Sequence, residues 1–522
     1  MTTAEHAPGR EQTGSQEPSA RLPRATFPPP PDEKLAARAA SRVCLAGLIL
    51  HAVFAPHSIA GAWISLSIVA AGWLVRALAT RRTNLARSPL DLPLLIFVLW
   101  TLASALLSFE PRISLSKLPS VSTFLVFYLA QGTLKRRLVA PLAALMIVSA
   151  AAGVVWSVGE LAVGRGVVIE EVAPDSPFRR DVPQLQAGDA VWRIGSRRVS
   201  SAAEIDDALR GAATGTRPEV HVISRGEHVV WDGPAVTDEL KRAPSPSGLS
   251  GTHPTRRFRA SGWTRHYQTH AEILQMLAQL ALGFALARLR REKTNADESR
   301  GGALLGSVWL PASAFVLLAV GVALTAMRTV LVAFALGALV VAWRAATTAR
   351  ARVYVSLAVC VVLAFGALAV WRTRAEGALR LQDDSSAMRL SVARRAAERV
   401  PLHPVFGHGM DSVKSHWEEW GFPGAEKIHF HSTWVQLAFD RGLPALALWL
   451  WLAYAFRRTL RRAERVWRDS EDAAAHGFTL GAAGALAGFL ASSLVNYNFG
   501  DSEVALLFWW LAAASVLLSR SN

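Results

Sequence analysis

Charge and cysteine are both scarce in this chain. Charged residues occupy 18% of the 522 positions and hydrophobic residues 51%, a ratio that soluble domains do not show. Cys44 and Cys360 both lie in apolar segments, so they predict neither a disulfide framework nor a metal site. A glycine-rich phosphate loop and a carboxylate cluster for a metal are also missing. We therefore predict no cofactor and no bound metal.

Long apolar runs take the place of the missing charge. Many windows of about 20 residues carry almost no charge, and this is the length that crosses a bilayer. The pattern predicts an α-helical polytopic membrane protein with about twelve transmembrane helices. The candidate spans are 42–58, 60–79, 90–108, 115–133, 138–162, 267–288, 303–325, 328–346, 352–371, 433–456, 474–495 and 502–519.

The basic residues indicate an orientation. A net charge of +16 could indicate a nucleic-acid partner, but the lysines and arginines cluster between the predicted spans, as the positive-inside rule expects. We therefore predict no nucleic-acid partner, cytoplasmic N- and C-termini, and a multi-pass membrane protein whose opposite loops are periplasmic if the membrane is the inner membrane of a Gram-negative bacterium. The clusters lie at 81–82, 135–137, 288–291, 344–352 and 457–468.

The same pattern divides the chain into segments. The polar N-terminus is predicted to be a disordered tail, and the first apolar run comes too late for a signal peptide. The predicted segments are a cytoplasmic tail at 1–40, transmembrane helices 1–5 at 41–162, an insert at 163–235, a linker leading into the sixth helix at 236–266, helices 6–9 at 267–371, a periplasmic catalytic loop at 372–432 and helices 10–12 at 433–522.

The insert contains short apolar alternations and turn signals that predict a small mixed α/β domain. Strands are expected at 166–172 and 189–195, a helix at 201–209 and a hairpin at 220–230. This order resembles a PDZ domain of the bacterial protease type, which implies a peptide or protein ligand added as a strand to a sheet edge. The groove residues implied are Gly164, Gly166, Val167 and Val168. The alternative is a small sheet domain that only spaces or covers the membrane part.

Arginines on the outer side are candidates for binding an anion. Arg328 interrupts about 40 apolar residues, and an arginine there either snorkels to the surface or binds an anion. A helix predicted at 389–400 can carry Arg389, Val392, Arg395 and Arg399 on one stripe. Such a stripe suits phosphate or pyrophosphate, because guanidinium forms paired hydrogen bonds with it. Alternatively, the helix lies on lipid headgroups.

Two histidines precede the tenth predicted span. Ser432 can cap a helix that starts near Thr433, which places His431 at a helix N-terminus, where the dipole disfavours imidazolium. A neutral imidazole there could take a proton from a sugar hydroxyl, and a structural histidine is the alternative. A metal site is a further alternative, but the spacings match no zinc pattern. The loop histidines are His403, His408, His416, His429 and His431.

These motifs together resemble the O-antigen ligase and polymerase superfamily. The resemblance rests on the order of spans, the long outer loop, and His431 and Ser432 followed by nine residues and Gly442. Arg328 matches the family's arginine after the seventh span, and Asp384 to Arg389, followed by 403–409, matches its next conserved stretch. Arg259 to Trp263 is similar to the family's R-x-S-G stretch.

The resemblance implies transfer of a glycan from undecaprenyl pyrophosphate to an acceptor on the outer face. Carried over, Arg328, Arg389 and Arg259 would bind the pyrophosphate and His431 would activate the acceptor hydroxyl. His429, Ser432 and Asp384 would support them. The favoured interpretation is an O-antigen ligase with lipid A–core as acceptor. The alternative is an O-antigen or exopolysaccharide polymerase, which uses a growing polysaccharide. A transporter and a PDZ-bearing anchor with inactive spans are two other classes, and no internal repeat supports the transporter.

Overall fold

The computed structural model describes residues 31–85, 87–224, 226–251, 253–294, 307–357, 380–424, 427 and 429–520. Of residues 31–34, 293–294 and 380–387 it describes the backbone alone. The helices are α1 Pro31–Phe54, α2 Ile59–Thr80, α3 Asp91–Leu107, α4 Pro111–Lys117, α5 Leu125–Thr133, α6 Arg136–Val163, α7 Pro177–Asp181, α8 Ala202–Gly211, α9 Asp238–Arg242, α10 Tyr267–Thr294, α11 Trp309–Leu324, α12 Arg328–Ala345, α13 Arg380–Arg399, α14 Thr433–Trp467, α15 Ala473–Ser493 and α16 Ser502–Leu518. A 3₁₀ turn, Leu118–Phe124, joins α4 to α5, and residues 349–357 are also helical.

Seven helical segments in the described ranges are long and apolar enough to cross a membrane, and α3, α11 and α16 are apolar but shorter. This confirms a polytopic, mostly helical membrane protein. The predicted tenth span coincides with the first part of α14, which is interrupted at Gly442. The predicted ninth span, 352–371, lies largely outside the described residues, as does the N-terminal tail. The count of about twelve spans therefore stays a prediction.

The centre of the helical part is the pair α10 and α15. In each, 78% of the most apolar window is buried, against 22–44% in the other five long candidate spans. A Cβ on Gly283 of α10 would lie 2.3 Å from the Gly477 carbonyl of α15, so the two backbones touch as small residues allow in membrane bundles. Ser492 at the end of α15 donates to buried Glu272 near the start of α10. This polar contact joins α10 and α15 at the ends that lie towards the candidate site.

The insert folds around its own apolar core. Its strands are β1 Val167–Val168, β2 Glu171–Val172, β3 Ala190–Ile194, β4 Arg197–Arg198, β5 Glu219–Ser224, β6 Glu227–Asp232 and β7 Leu249–Ser250. The main sheet has the order β1-β3-β5-β6, with β4 beside β3, and β2 pairs with β7. The predicted helix and hairpin are confirmed by α8 and by the antiparallel pair β5–β6. The likeness to a PDZ domain stays a prediction.

Part of the predicted linker is paired with the insert. The Val168 N–H donates to the His253 carbonyl over 2.9 Å, and the Arg165 N–H donates to the Thr255 carbonyl over 2.8 Å. The opposite edge of β1 pairs with β3. The edge that the sequence assigns to a peptide, Gly164 to Val168, is thus covered by the chain itself. A peptide ligand would have to displace His253 and Thr255 from this edge, and its existence stays a prediction.

Candidate functional site

The site is built around the start of α14. The helix begins at Thr433, and the Ser432 hydroxyl accepts the Val435 N–H over 3.3 Å, which confirms the predicted cap. His431 immediately before it has a φ of 52°, in the left-handed region where histidine is among the better-tolerated residues. This turn directs the chain from the loop into the helix. His431 therefore stands at the positive end of the α14 dipole.

A hydrogen-bond network ties the start of α14 to the start of α12. Thr433 donates its backbone N–H to the Asn496 carbonyl over 3.1 Å. The Asn496 amide in turn donates to the Thr329 hydroxyl over 3.1 Å. Thr329 follows Arg328, the first residue of α12, so Arg328 starts a helix in the same network. The side chain of Arg328 is exposed.

The turn that carries His431 is also held from within α14. Gln436 accepts the Phe430 N–H over 3.1 Å, and its amide donates to both carboxylate oxygens of Asp440 at 3.0 Å. All three side chains are buried. Since Gln436 and Asp440 are four residues apart on the helix, they lie on one face and hold the preceding loop residue in place. The imidazole of His431 makes no hydrogen bond within the described part of the chain.

Positive groups from two other elements surround His431. The pKa of His431 is lowered from 6.5 to about 4, chiefly by burial and then by the nearby charges of Arg389, His429 and His266, in that order. Arg389 comes from α13, and His266 lies just before α10. The imidazole is therefore neutral at pH 7 and can accept a proton. The charge of Arg389 also lowers the pKa of His266, so Arg389 acts on both histidines of the cluster.

Arg259 lies at the edge of this cluster, against the insert. Its guanidinium pairs with Glu227 of β6 over 3.2 Å and stands 4.6 Å from the Tyr267 ring centre. Its backbone N–H donates to the Gly226 carbonyl over 3.1 Å. The electrostatic neighbours of His266 include both Arg259 and Arg389. The insert hairpin thus holds one of the predicted pyrophosphate ligands.

The predicted supporting residues are placed differently. The ring of His429 lies 5.1 Å from that of Tyr497, and its buried Nδ1 has no hydrogen-bond partner among the described residues. Burial is the main cause that lowers its pKa. Ser432 acts as the helix cap. Asp384 belongs to α13, but its side chain lies outside the described residues.

The predicted arginine stripe on α13 is only partly available. The helix begins at Arg380, nine residues before the predicted start. Arg395 donates its Nε–H to the Trp420 carbonyl over 2.9 Å, and Arg399 packs 4.8 Å from the Trp420 ring centre. Val392 is buried beneath them. Arg395 and Arg399 thus fasten α13 to the loop, and anion binding by the stripe stays a prediction.

Three loop histidines pack around Trp420: the rings of His403 and His408 lie 4.6 Å apart, and His408 and His416 both contact Trp420. His408 stacks on Phe439 at 4.2 Å, and its Nε2 lies 3.0 Å from the Arg399 carbonyl. His416 lies between Glu110 and Glu419, at 2.7 and 2.6 Å. Across the described ranges, no three histidine, cysteine, aspartate or glutamate side chains come together in a way that could hold a metal ion.

Gly442 marks a break in α14 where the loop docks. Its φ is 81°, and a Cβ there would lie 1.9 Å from the Val405 carbonyl oxygen. The Leu443 N–H donates to the Pro404 carbonyl over 2.8 Å. On the other side of the break, the His408 N–H donates to the Phe439 carbonyl over 2.8 Å. His431 therefore stands just before the helix cap, and Gly442 lies farther along α14, where the loop is anchored.

Gly442→Ala is expected to destabilise the protein by about 2–4 kcal/mol, because left-handed backbone and an overpacked contact both disfavour alanine. The melting temperature of the purified protein in detergent measures this. Gly159→Ala is the control, since a Cβ at Gly159 meets nothing within 4 Å. Equal melting temperatures for both variants would contradict the role assigned to the break.

Several residues of the site were missed from the sequence. Gln436 and Asp440 carry a recognisable signal, their spacing of four on an otherwise apolar helix. Asn496 and His266 carry none, because they come from the chain between other helices. Glu227 lies in the insert, and only the folded contact with Arg259 connects it to the site.

Residues 313–450 match the family described as O-antigen ligase. The matched range contains Arg328, Arg389, His431 and Gly442. No curated protein matches the chain. The match supports the O-antigen ligase superfamily, a ligase- or polymerase-type glycosyltransferase activity, and a polysaccharide or lipid-linked glycan as substrate. With the apolar helices, it points to a multi-pass membrane protein.

Proposed function

We propose that this chain moves a glycan from undecaprenyl pyrophosphate to lipid A–core, as an O-antigen ligase of the bacterial inner membrane. The observation that carries the proposal is a neutral, half-buried His431 at a helix N-terminus, close enough to Arg389 for its charge to lower the pKa of the imidazole. The match over 313–450, which includes both residues, supports it. In this orientation the N- and C-termini are cytoplasmic and the site is periplasmic, as the basic clusters predict.

The proposed reaction is a displacement at the anomeric carbon. The acceptor hydroxyl oxygen forms the new glycosidic bond, and the bond from the same carbon to the pyrophosphate oxygen breaks. His431 takes the hydroxyl proton, since a neutral imidazole can act as a general base. The undecaprenyl pyrophosphate leaves with the electron pair of the broken bond, and the proton passes from His431 to water.

Arginines stabilise the leaving group in this scheme. Arg389 faces the developing charge next to His431, and Arg328 and Arg259 contribute from the start of α12 and from the segment before α10. Guanidinium groups suit this role because they form paired hydrogen bonds with phosphate oxygens and charge develops there in the transition state. Ser432 keeps the helix end in position, His429 packs beside the turn, and Asp384 is assigned a supporting role by resemblance.

A deletion strain distinguishes ligase from polymerase, the alternative within the same superfamily. For a ligase, we expect long glycans to accumulate on the carrier while lipid A–core stays bare. Single repeat units on the carrier would instead indicate an O-antigen or exopolysaccharide polymerase that extends a growing chain. Normal glycolipids in the deletion strain would contradict both.

The pH dependence of transfer is expected to follow His431. A general base must be neutral, and the pKa of His431 in the free protein is about 4, below its ordinary 6.5. The acid limb of kcat/KM should therefore lie near the lowered pKa, because kcat/KM reports the free enzyme. Initial rates of glycan transfer between about pH 3 and 8 measure it. A midpoint at the ordinary histidine pKa would contradict a half-buried base with positive neighbours.

A further inference from the structure

A second charged cavity lies at the end of the helices opposite the candidate site. It has a volume of about 810 Å³ and lies between the end of α12, the helical residues 349–357 and the second half of α14. From Gly442 to Arg457 the helix rises by about 22 Å, which separates this cavity from the loop that carries His431. In the proposed orientation it opens on the cytoplasmic side.

Arginines dominate its lining. Seven guanidinium groups face a single carboxylate among the described lining residues. That carboxylate, Glu464, is already engaged by Arg344 and lies 3.5 Å from Arg468. The lining therefore carries a net charge of +6, counted as seven arginines less one glutamate. The remaining arginines are Arg352, Arg457, Arg458, Arg461 and Arg465.

The arrangement is more specific than an orientation signal requires. The positive-inside rule needs arginines in loops near the membrane, but it does not need two separate basic clusters to converge on one cavity. Arg457, Arg461 and Arg465 recur every four residues and so share one face of α14. All three side chains are exposed on that face. A multiply charged anion in the cavity would be bound by arginines of both clusters, 344–352 and 457–468.

Aromatic side chains mark the level of the membrane interface beside the arginines. Trp343 and Tyr454 line the same cavity and are 45% and 56% exposed. Half-exposed tryptophan and tyrosine are typical of the boundary between lipid tails and headgroups. A ligand that combines phosphates with an apolar part fits both halves of this lining. A soluble anion would leave the aromatic half without a partner.

We propose that this cavity binds the headgroup of an anionic phospholipid that carries two phosphates. Basic pockets between transmembrane helices suit such headgroups, and the guanidinium fork matches the geometry of phosphate oxygens. Two phosphates match the surplus of positive charge better than one. The site is independent of glycan transfer, because none of its residues belongs to the His431 cluster.

Native mass spectrometry of the purified full chain, titrated with diphosphatidylglycerol or with phosphatidylglycerol at equal lipid charge, tests the proposal. The combined variant Arg457→Gln, Arg461→Gln and Arg465→Gln should bind diphosphatidylglycerol about 100-fold more weakly, because each arginine near an anionic surface contributes roughly fivefold. The control combines Arg179→Gln, Arg197→Gln and Arg198→Gln, exposed arginines of the insert, and should bind as wild type does.

Wild-type protein should bind diphosphatidylglycerol more tightly than phosphatidylglycerol at equal lipid charge. This comparison tests the proposal even if the combined variant does not fold. Equal binding of the two lipids by wild type would overturn the proposal. So would a loss of diphosphatidylglycerol binding in the insert control as large as that in the combined variant. Inorganic pyrophosphate is the soluble probe. Displacement of bound diphosphatidylglycerol by an equal concentration of pyrophosphate would overturn the assignment to a lipid headgroup.

Discussion

Replacement of His431 by alanine is expected to lower the rate of glycan transfer by about 10²–10⁴-fold, the range that a general base contributes. The imidazole is neutral and half-buried, and it immediately precedes the cap of α14. In a deletion strain complemented with the variant, the acceptor should lack polymer and carrier-linked glycan should accumulate. Gel and mass analysis of the glycolipids measures both.

Two further variants separate chemistry from backbone strain. His431→Asn keeps a residue that tolerates the left-handed backbone but removes the base, so it should be as inactive as the alanine variant. His253→Ala removes an exposed histidine of the insert and should transfer glycan normally. Activity in His431→Asn near that of wild type would show that the position serves the turn and not the reaction.

Arg389→Ala is expected to lower kcat by about 10²–10³-fold, as the loss of a group that stabilises transition-state charge does. The same change should move the acid limb of kcat/KM to higher pH, because Arg389 is the largest charge that lowers the pKa of His431. Without the positive charge of Arg389, the imidazolium form of His431 is less disfavoured, so the pKa of His431 rises. Steady-state rates across pH measure both effects.

Arg394→Ala is the matched control for Arg389→Ala. It lies on the same helix, carries the same charge and is 81% exposed at its side chain, where it pairs with Glu398 at 3.2 Å. We expect kcat and the pH profile of this variant to match those of wild type. If the two variants lose activity equally, the effect of Arg389 comes from the charge of α13 as a whole and not from contact with the pyrophosphate.

The parts of the site that local rules govern were predictable from the sequence. Ser432 was predicted to cap α14, and its hydroxyl does so. The hairpin β5–β6 and the helix α8 were also predicted, because strand alternation and helical spacing are local patterns. The turn at Arg328 between two apolar helices follows from charge alone.

The parts that depend on distant contacts were not predictable. Arg395 and Arg399 share a helix stripe with Arg389, but only the position of Trp420 in the fold decides that they pack against the loop. His253 and Thr255 belong to the segment 236–266, which the sequence assigns to a linker. Their pairing with Val168 and Arg165 uses backbone hydrogen bonds, which side-chain patterns do not encode.

The central claim is that this chain breaks the bond between a glycan and its pyrophosphate carrier with His431 as base. The most direct measurement uses the purified full chain in vesicles with undecaprenyl-pyrophosphate-linked glycan and an acceptor. We expect one undecaprenyl pyrophosphate to be released for each glycan transferred by wild type, and almost no release by His431→Ala. Glycan transfer without release of the carrier, or release at the wild-type rate by His431→Ala, would contradict the account.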